Sequence, residues 1–160
     1  MTESIAIESQ NVSDNLIARN EMFREKIVQF ESELAATEGA KLGDNEYCPL
    51  KHSFGDGVYV RELLHPKGIL TVTKIHKLSH PFFLLSGEMS MATEEGVRRI
   101  KAPFYAITKA GTKRVIYAHE DCIVVTVHVT NETDLEKIEE EIISPCYEDF
   151  DKERMVLCPG

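Results

Sequence analysis

Two hydrophobic periodicities divide the chain. Leu16, Asn20, Phe23, Ile27, Phe30 and Leu34 follow one another in alternating steps of four and three. That is the a/d spacing of a heptad seam with one polar member, and it predicts an amphipathic helix over 13–37. Ser13 is the expected N-cap, with Asp14 in the first turn. Residues 1–12 are polar and read as an extended arm. The seam either lies on the chain's own core or meets a helix of an identical chain or another partner. It is short for an independent coiled coil, so an oligomer would also need contacts elsewhere. Residues 38–50 contain glycines and read as a linker.

From residue 51 to 130 the period changes to two, the mark of half-buried strands. Strands are expected at 58–64, 69–76, 82–86, 88–92, 97–101, 103–108, 114–118 and 122–130. Turn sequences separate them: His65-Pro66-Lys67-Gly68, Gly87, Thr93-Glu94-Glu95-Gly96 and His119-Glu120-Asp121. Short strands at regular spacing, punctuated by Gly and Pro, indicate a sandwich or barrel. Beyond them, Leu135, Ile138 and Ile142 form the apolar stripe of a short helix. A Thr133/Glu136 capping box is expected to open it and Ser144-Pro145 to end it. The acidic tail after Cys146 carries weak order signals. The organisation is therefore an arm, helix and linker over 1–50, a β-barrel over 51–130, and a helix with tail over 131–160.

Composition narrows the setting. Apolar residues are 42% of 160, enough for one compact core. A formal net charge of −9 argues against nucleic acid as a partner. No stretch approaches a membrane span, so no membrane partner is expected. The N-terminus has no basic n-region and no apolar h-region, so secretion by a signal peptide is not expected. Cys48, Cys122, Cys146 and Cys158 form no CxxC pair and suit a reducing compartment. A Cys48–Cys146 or Cys146–Cys158 bridge stays open.

The candidate chemistry sits in Gly68–Gly87, GILTVTKIHKLSHPFFLLSG, where an alternating strand leads into His76 and His80. Leu70, Val72, Lys74 and His76 share one strand face, and His80, Phe82 and Leu84 share another. If the apolar members fill the barrel, both histidines point to its mouth. Two neutral imidazoles there could bind a first-row divalent metal, and a catalytic site normally has a third protein ligand. His128 on the last strand is closest to the mouth, although its parity relative to Val125 and Val127 is unfavourable. His119, in a far turn, and Glu88 are weaker candidates. Cys122 reads as an inert core thiol. The run Glu136–Glu141 reads as a solvated helix face. There is no Gly-rich phosphate loop, GxSxG or EF-hand loop.

These residues resemble the cupins, small jelly-roll barrels whose first motif is roughly G, five residues, HxH, three or four residues, E, six residues, G. Counted back from Gly87, His80 takes the glutamate place, and Lys74 and His76 take the histidine places. In the second motif, Lys109-Ala110-Gly111 stands for PxG and Arg114 for the third histidine. The stretches KHSFGDGVYVREL, HPFFLLSGEMSM and AGTKRVIYAHEDC are also similar to uncharacterised cupin-like proteins of tailed bacteriophages. The resemblance covers about residues 51–130 and implies a cupin-type jelly-roll barrel; with the helices read from periodicity, the expected fold is mainly β, a single such barrel with an N-terminal amphipathic helix and a short C-terminal helix.

Cations at 74 and 114 raise the electrostatic cost of a metal. The leading expectation is therefore a non-catalytic structural or interaction protein, a bacteriophage virion or assembly component with a degenerate metal site and no cofactor. It would act as a homo-oligomer or with other virion proteins, in the virion or host cytoplasm. The alternatives are a metal-dependent dioxygenase or isomerase using His76 and His80 with a divalent transition metal, and a binding module. The module would use Lys74 and Arg114 on a small anionic or sugar ligand.

Overall fold

The computed structural model describes residues 2–41 and 46–157. The chain forms two compact units, Met1–Ala40 and Lys41–Gly160. The first is one helix, α1 (Thr2–Ala35). It continues through Ser13, so the residues expected as an extended arm are helical and Ser13 lies within the helix rather than at its start. The segment has neither Pro nor Gly, and its Glu, Gln and Ala are good helix formers. Among the seam residues, Ile27 is buried, Phe23 and Leu34 are half-buried, and Leu16, Asn20 and Phe30 are exposed.

The second unit runs β1 (Leu50–Gly55), β2 (Val58–His65), β3 (Leu70–Val72), β4 (Ile75–His76), β5 (His80–Ser86), β6 (Glu88–Thr93), β7 (Gly96–Lys101), β8 (Phe104–Thr108), β9 (Val115–Ala118) and β10 (Cys122–Val129). Then come α2 (Leu135–Ile142), β11 (Ile143–Ser144) and α3 (Tyr147–Leu157). One antiparallel sheet has the order β1-β2-β10-β5-β8 and the other β3-β9-β6-β7, while β4 pairs with β11. The inner faces of the two sheets meet in a core of Phe82, Leu84 and Val124 against Met89, Met91, Ile100, Ile116 and Ala118. Alternation with period two puts these residues inside and their neighbours outside. The fold is mainly β, a jelly-roll barrel with an N-terminal helix and a short C-terminal helix.

Several local expectations change. The strand expected over 69–76 breaks after Val72, because its two parts pair with different partners, β9 and β11. Asp134, not Thr133, caps α2, accepting from the amides of Glu136 and Lys137 at 3.0 and 3.2 Å. A carboxylate is a charged acceptor at the positive end of the helix. Ile138 and Ile142 are buried against Tyr59, but Leu135 is exposed. The tail is helical as α3, held by Phe150, which is 2% exposed. Cys48, Cys122 and Cys146 are free thiols, so the Cys48–Cys146 bridge is not formed. Cys158 lies outside the described residues. No helix among the described residues is long and apolar enough to cross a membrane.

Gly87 closes the β5–β6 turn with φ +85°, and a Cβ there would come within 2.4 Å of the Asp121 carbonyl oxygen. The obstacle is backbone and cannot swing aside. Gly87→Ala is expected to destabilise the barrel by about 2 kcal/mol or more, combining left-handed strain with overpacking. Urea unfolding checks this; a change within about 0.5 kcal/mol, the range of an ordinary surface substitution, would contradict it.

Candidate metal centre at the barrel mouth

The inner face of the five-stranded sheet is layered along the barrel. Strand register pairs Tyr59 with His128, Arg61 with Thr126, Leu63 with Val124 and His65 with Cys122. On the other side of β10, Thr126 pairs with Phe82 and Val124 with Leu84. His80 then pairs with Thr108 across β5 and β8. The Leu63, Val124, Leu84 level is apolar. The Tyr59, His128, His80, Thr108 level is polar and forms the mouth.

His76 joins this level from β4. Its placement depends on the C-terminal segment: Ile143 of β11 pairs with His76, and the Lys77 amide donates to the Ile142 carbonyl at 2.8 Å. The Gly111 amide donates to the His76 carbonyl at 2.9 Å. Gly111 in turn packs against Phe150, whose ring would lie 2.6 Å from an added Cβ. Thus α2, β11 and α3 clamp the loop that carries His76.

The three imidazoles meet. Ring centroids are 4.3 Å apart for His76 and His80, 4.6 Å for His80 and His128, and 5.3 Å for His76 and His128. One ligand nitrogen from each lies within 4.8 Å of the others. His80 Nδ1 sits 3.2 Å from the Leu78 carbonyl. A carbonyl only accepts, so Nδ1 carries the proton and Nε2 keeps its lone pair. His128 Nε2 lies 3.1 Å from the Thr126 hydroxyl, and Tyr59 stacks on the same ring. The Tyr59 hydroxyl is itself 2.7 Å from His52 Nδ1.

Electrostatics keep the cluster neutral. Burial, then His80, His128, Arg61 and Arg114, depress the His76 pKa from its ordinary 6.5 to about 2. Burial, then His80 and Arg61, bring His128 down to about 4. His80 is also lowered, mainly by burial and also by Arg114, against the opposing effect of the Leu78 carbonyl. Neutral imidazole is the metal-ligating form. Three close nitrogen donors of this kind suit Zn, Fe, Ni or Cu, so the residues present fit a divalent transition metal.

Of the residues singled out from sequence, His76, His80, His128 and Arg114 gather at the mouth and Lys74 does not. With the strand broken after Val72, Lys74 points outward and pairs with Glu139 of α2. His128 reverses the expected parity, because β10 buries Cys122, Val124, Thr126 and His128 while Val125 and Val127 take the other face. Valine is at home on both faces of a strand, so the apolar run hid the phase. In motif terms the third imidazole comes from β10 rather than from position 114. His119 bonds Ser90 at 2.8 Å, and Glu88 pairs with Arg99, so neither joins. Cys122 is fully buried, its thiol 3.2 Å from the Glu120 carbonyl and its pKa raised by burial. Sequence reasoning missed Tyr59 and Arg61, although Tyr59, Arg61, Leu63 and His65 alternate, and it missed the β11 clamp. A surface pocket of about 270 Å³ lies at Lys77, Leu78, Glu141, Phe150, Glu153 and Arg154. It contains none of the three histidines, and the side-chain chemistry favours the mouth.

Solved structures place the fold. Ectoine synthase from P. lautus matches with a TM-score of 0.50 and 18% identity, over 69% of this chain and 83% of that one. Oxalate decarboxylase from Lactobacillus farciminis, solved as a formate complex, matches with a TM-score of 0.50 and 15% identity, over 67% of this chain and 34% of its own. A cupin-2 domain protein from Shewanella frigidimarina matches at 10% identity and a TM-score of 0.45, over 54% and 84% of the two chains. The chain thus shares a barrel fold with solved structures. At these identities the likeness establishes architecture alone. No family profile and no curated protein sequence matches the chain.

Acid should unfold the metal-free protein early. In the unfolded chain the histidines take up protons near pH 6.5, but in the fold His76 does so only near 2 and His128 near 4. The unfolded state therefore binds more protons below about pH 6.5, and stability falls as pH drops from there towards 4. Chemical unfolding at successive pH values should show a shallower slope over this window in His128→Gln. An unchanged slope would contradict the buried neutral cluster.

Proposed function

We propose that this chain is a metal-dependent cupin enzyme acting on a small molecule, with His76, His80 and His128 holding a divalent first-row transition ion. The observation that carries this reading is the convergence of three neutral imidazoles, from β4, β5 and β10, within 4.8 Å at the barrel mouth. Such an ion would supply Lewis acidity, and a redox-active one also electron transfer, to a bound substrate. The protein's part is to keep the imidazoles unprotonated, to fix the His80 tautomer through Leu78, and to hold His76 through the C-terminal clamp. The main sequence argument for a degenerate site was a pair of cations at ligand places. One of them, Lys74, lies outside the site, and His128 supplies the imidazole that position 114 lacks.

Elemental analysis of purified protein tests the reading. About one equivalent of a first-row metal is expected in the wild type. His76→Ala and His128→Ala should each lower metal affinity by about 10-fold or more, a size seen even for outer-shell changes. A folded wild type that takes up no metal, or variants that hold it equally well, would contradict the centre.

A second reading, a scaffold role in an oligomer or a bacteriophage particle, is supported by α1. This helix has 34 residues and exposes Leu16, Ile17, Met22, Val28 and Phe30. Exposed apolar residues on a long helix suit an interface. Under this reading the wild type has an oligomeric mass by light scattering, and Leu16→Asp with Phe30→Asp lowers it. A monomeric wild type would contradict it.

A further inference from the structure

Arg114 is 9% exposed, immediately before β9. Its guanidinium donates to the Thr108 hydroxyl and stands over the Phe82 ring at 5.1 Å. Among the described residues no carboxylate lies within ion-pair distance of it. The acidic group whose charge reaches it is Glu94, in the β6–β7 turn. A guanidinium has five N–H donors in a planar fork, and Thr108 accepts from one. A buried cation without a counter-anion is strongly unfavourable unless something pairs with it. Its backbone is fixed in place: the Arg114 amide donates to the Thr73 hydroxyl at 3.0 Å and its carbonyl accepts from the Thr73 amide at 2.9 Å. The charge cannot leave the mouth by a small shift of the chain.

Arg114 is also next to the cluster. Its charge acts on both His76 and His80, while Arg61 acts on His76 and His128 from the opposite side of β10. Arg114 thus stands beside three imidazoles, and among the described residues no carboxylate belongs to their cluster. A divalent ion would make it more positive still. Among the described residues, none supplies an anion to the Arg114 fork.

The surroundings favour one kind of anion. A carboxylate is planar and matches the guanidinium fork with two parallel hydrogen bonds. Beside the fork lie the face of Phe82 and, paired with Phe82 across β8, Ala106. We propose that the ligand of this site is a small carboxylate, gripped by Arg114 with the rest of the molecule towards His76, His80 and His128. The metal-facing half of this proposal rests on the metal-centre reading; the grip by Arg114 stands without it.

Calorimetry on metal-loaded and on EDTA-treated protein tests this, with lactate, pyruvate and succinate as probes and inorganic phosphate and glucose as comparators. At least one carboxylate should bind about 10-fold more tightly than phosphate, and glucose should give no heat. Arg114→Gln should weaken that carboxylate about 10-fold or more while metal content stays at the wild-type value. Because that variant removes a buried group, Arg114→Lys is measured beside it, and it should bind less tightly than wild type because a point charge lacks the fork. Carboxylates that bind no better than phosphate to the wild type, or arginine variants that bind them as well as the wild type, overturn the proposal. Carboxylate binding lost with Arg114 in a protein that takes up no metal supports the anion grip and contradicts the metal centre, so the two failures are distinguishable.

Discussion

β10 is hydrogen-bonded on both sides, to β2 and to β5, and its side chains alternate strictly between interior and surface. The register along this one strand decides what the barrel contains. Val124 meets Leu63 and Leu84 in the apolar layer, Thr126 lies between Arg61 and Phe82, and His128 stacks on Tyr59 beside His80. A slip of one residue would put Val125 and Val127 inside and turn His128 to the surface. The hydrophobic layer and the polar mouth are thus set by the same pairing. Burial of Val124, Leu84 and Met89 holds the register, and the register places the imidazole.

The mouth combines groups that repel a proton. Burial is the leading cause of the depressed pKa at all three histidines, and their mutual proximity with Arg61 and Arg114 adds to it. Arg114 lies in the same surroundings: among the described residues, a hydroxyl and an aromatic face accompany its 9% exposed guanidinium. The second structural demand is on His76, which sits on a two-residue strand, β4, with little pairing of its own. The C-terminal segment supplies it: β11 pairs with His76, and Phe150 closes the space above Gly111. The acidic tail is therefore part of the site's support.

Much of this was legible in the sequence, and the exceptions have physical reasons. Period-two alternation with Gly and Pro turns gave the principal strands to within a residue or two, because half-buried strands must alternate. His76 and His80 were visible because one ends and the other opens an alternating apolar strand. His128 was harder to place because CIVVTVHV is apolar at both parities, so its phase is decided only by pairing with β2 and β5. Lys74 was misplaced because a strand can change partners without any Pro or Gly to mark the break. The β4–β11 pair joins residues far apart in the chain, and two-residue strands leave no periodic trace. The start of α1 was missed because its first residues lack an apolar stripe, although their helix propensity was sufficient.

The most direct test of the account is anomalous X-ray scattering from crystals of the metal-loaded protein, collected on both sides of the metal's absorption edge. The account predicts a single strong anomalous peak within bonding distance, about 2.0–2.2 Å for a first-row ion, of one nitrogen each from His76, His80 and His128. A peak elsewhere on the chain, or an ordered mouth with no anomalous signal at full metal loading, would contradict it.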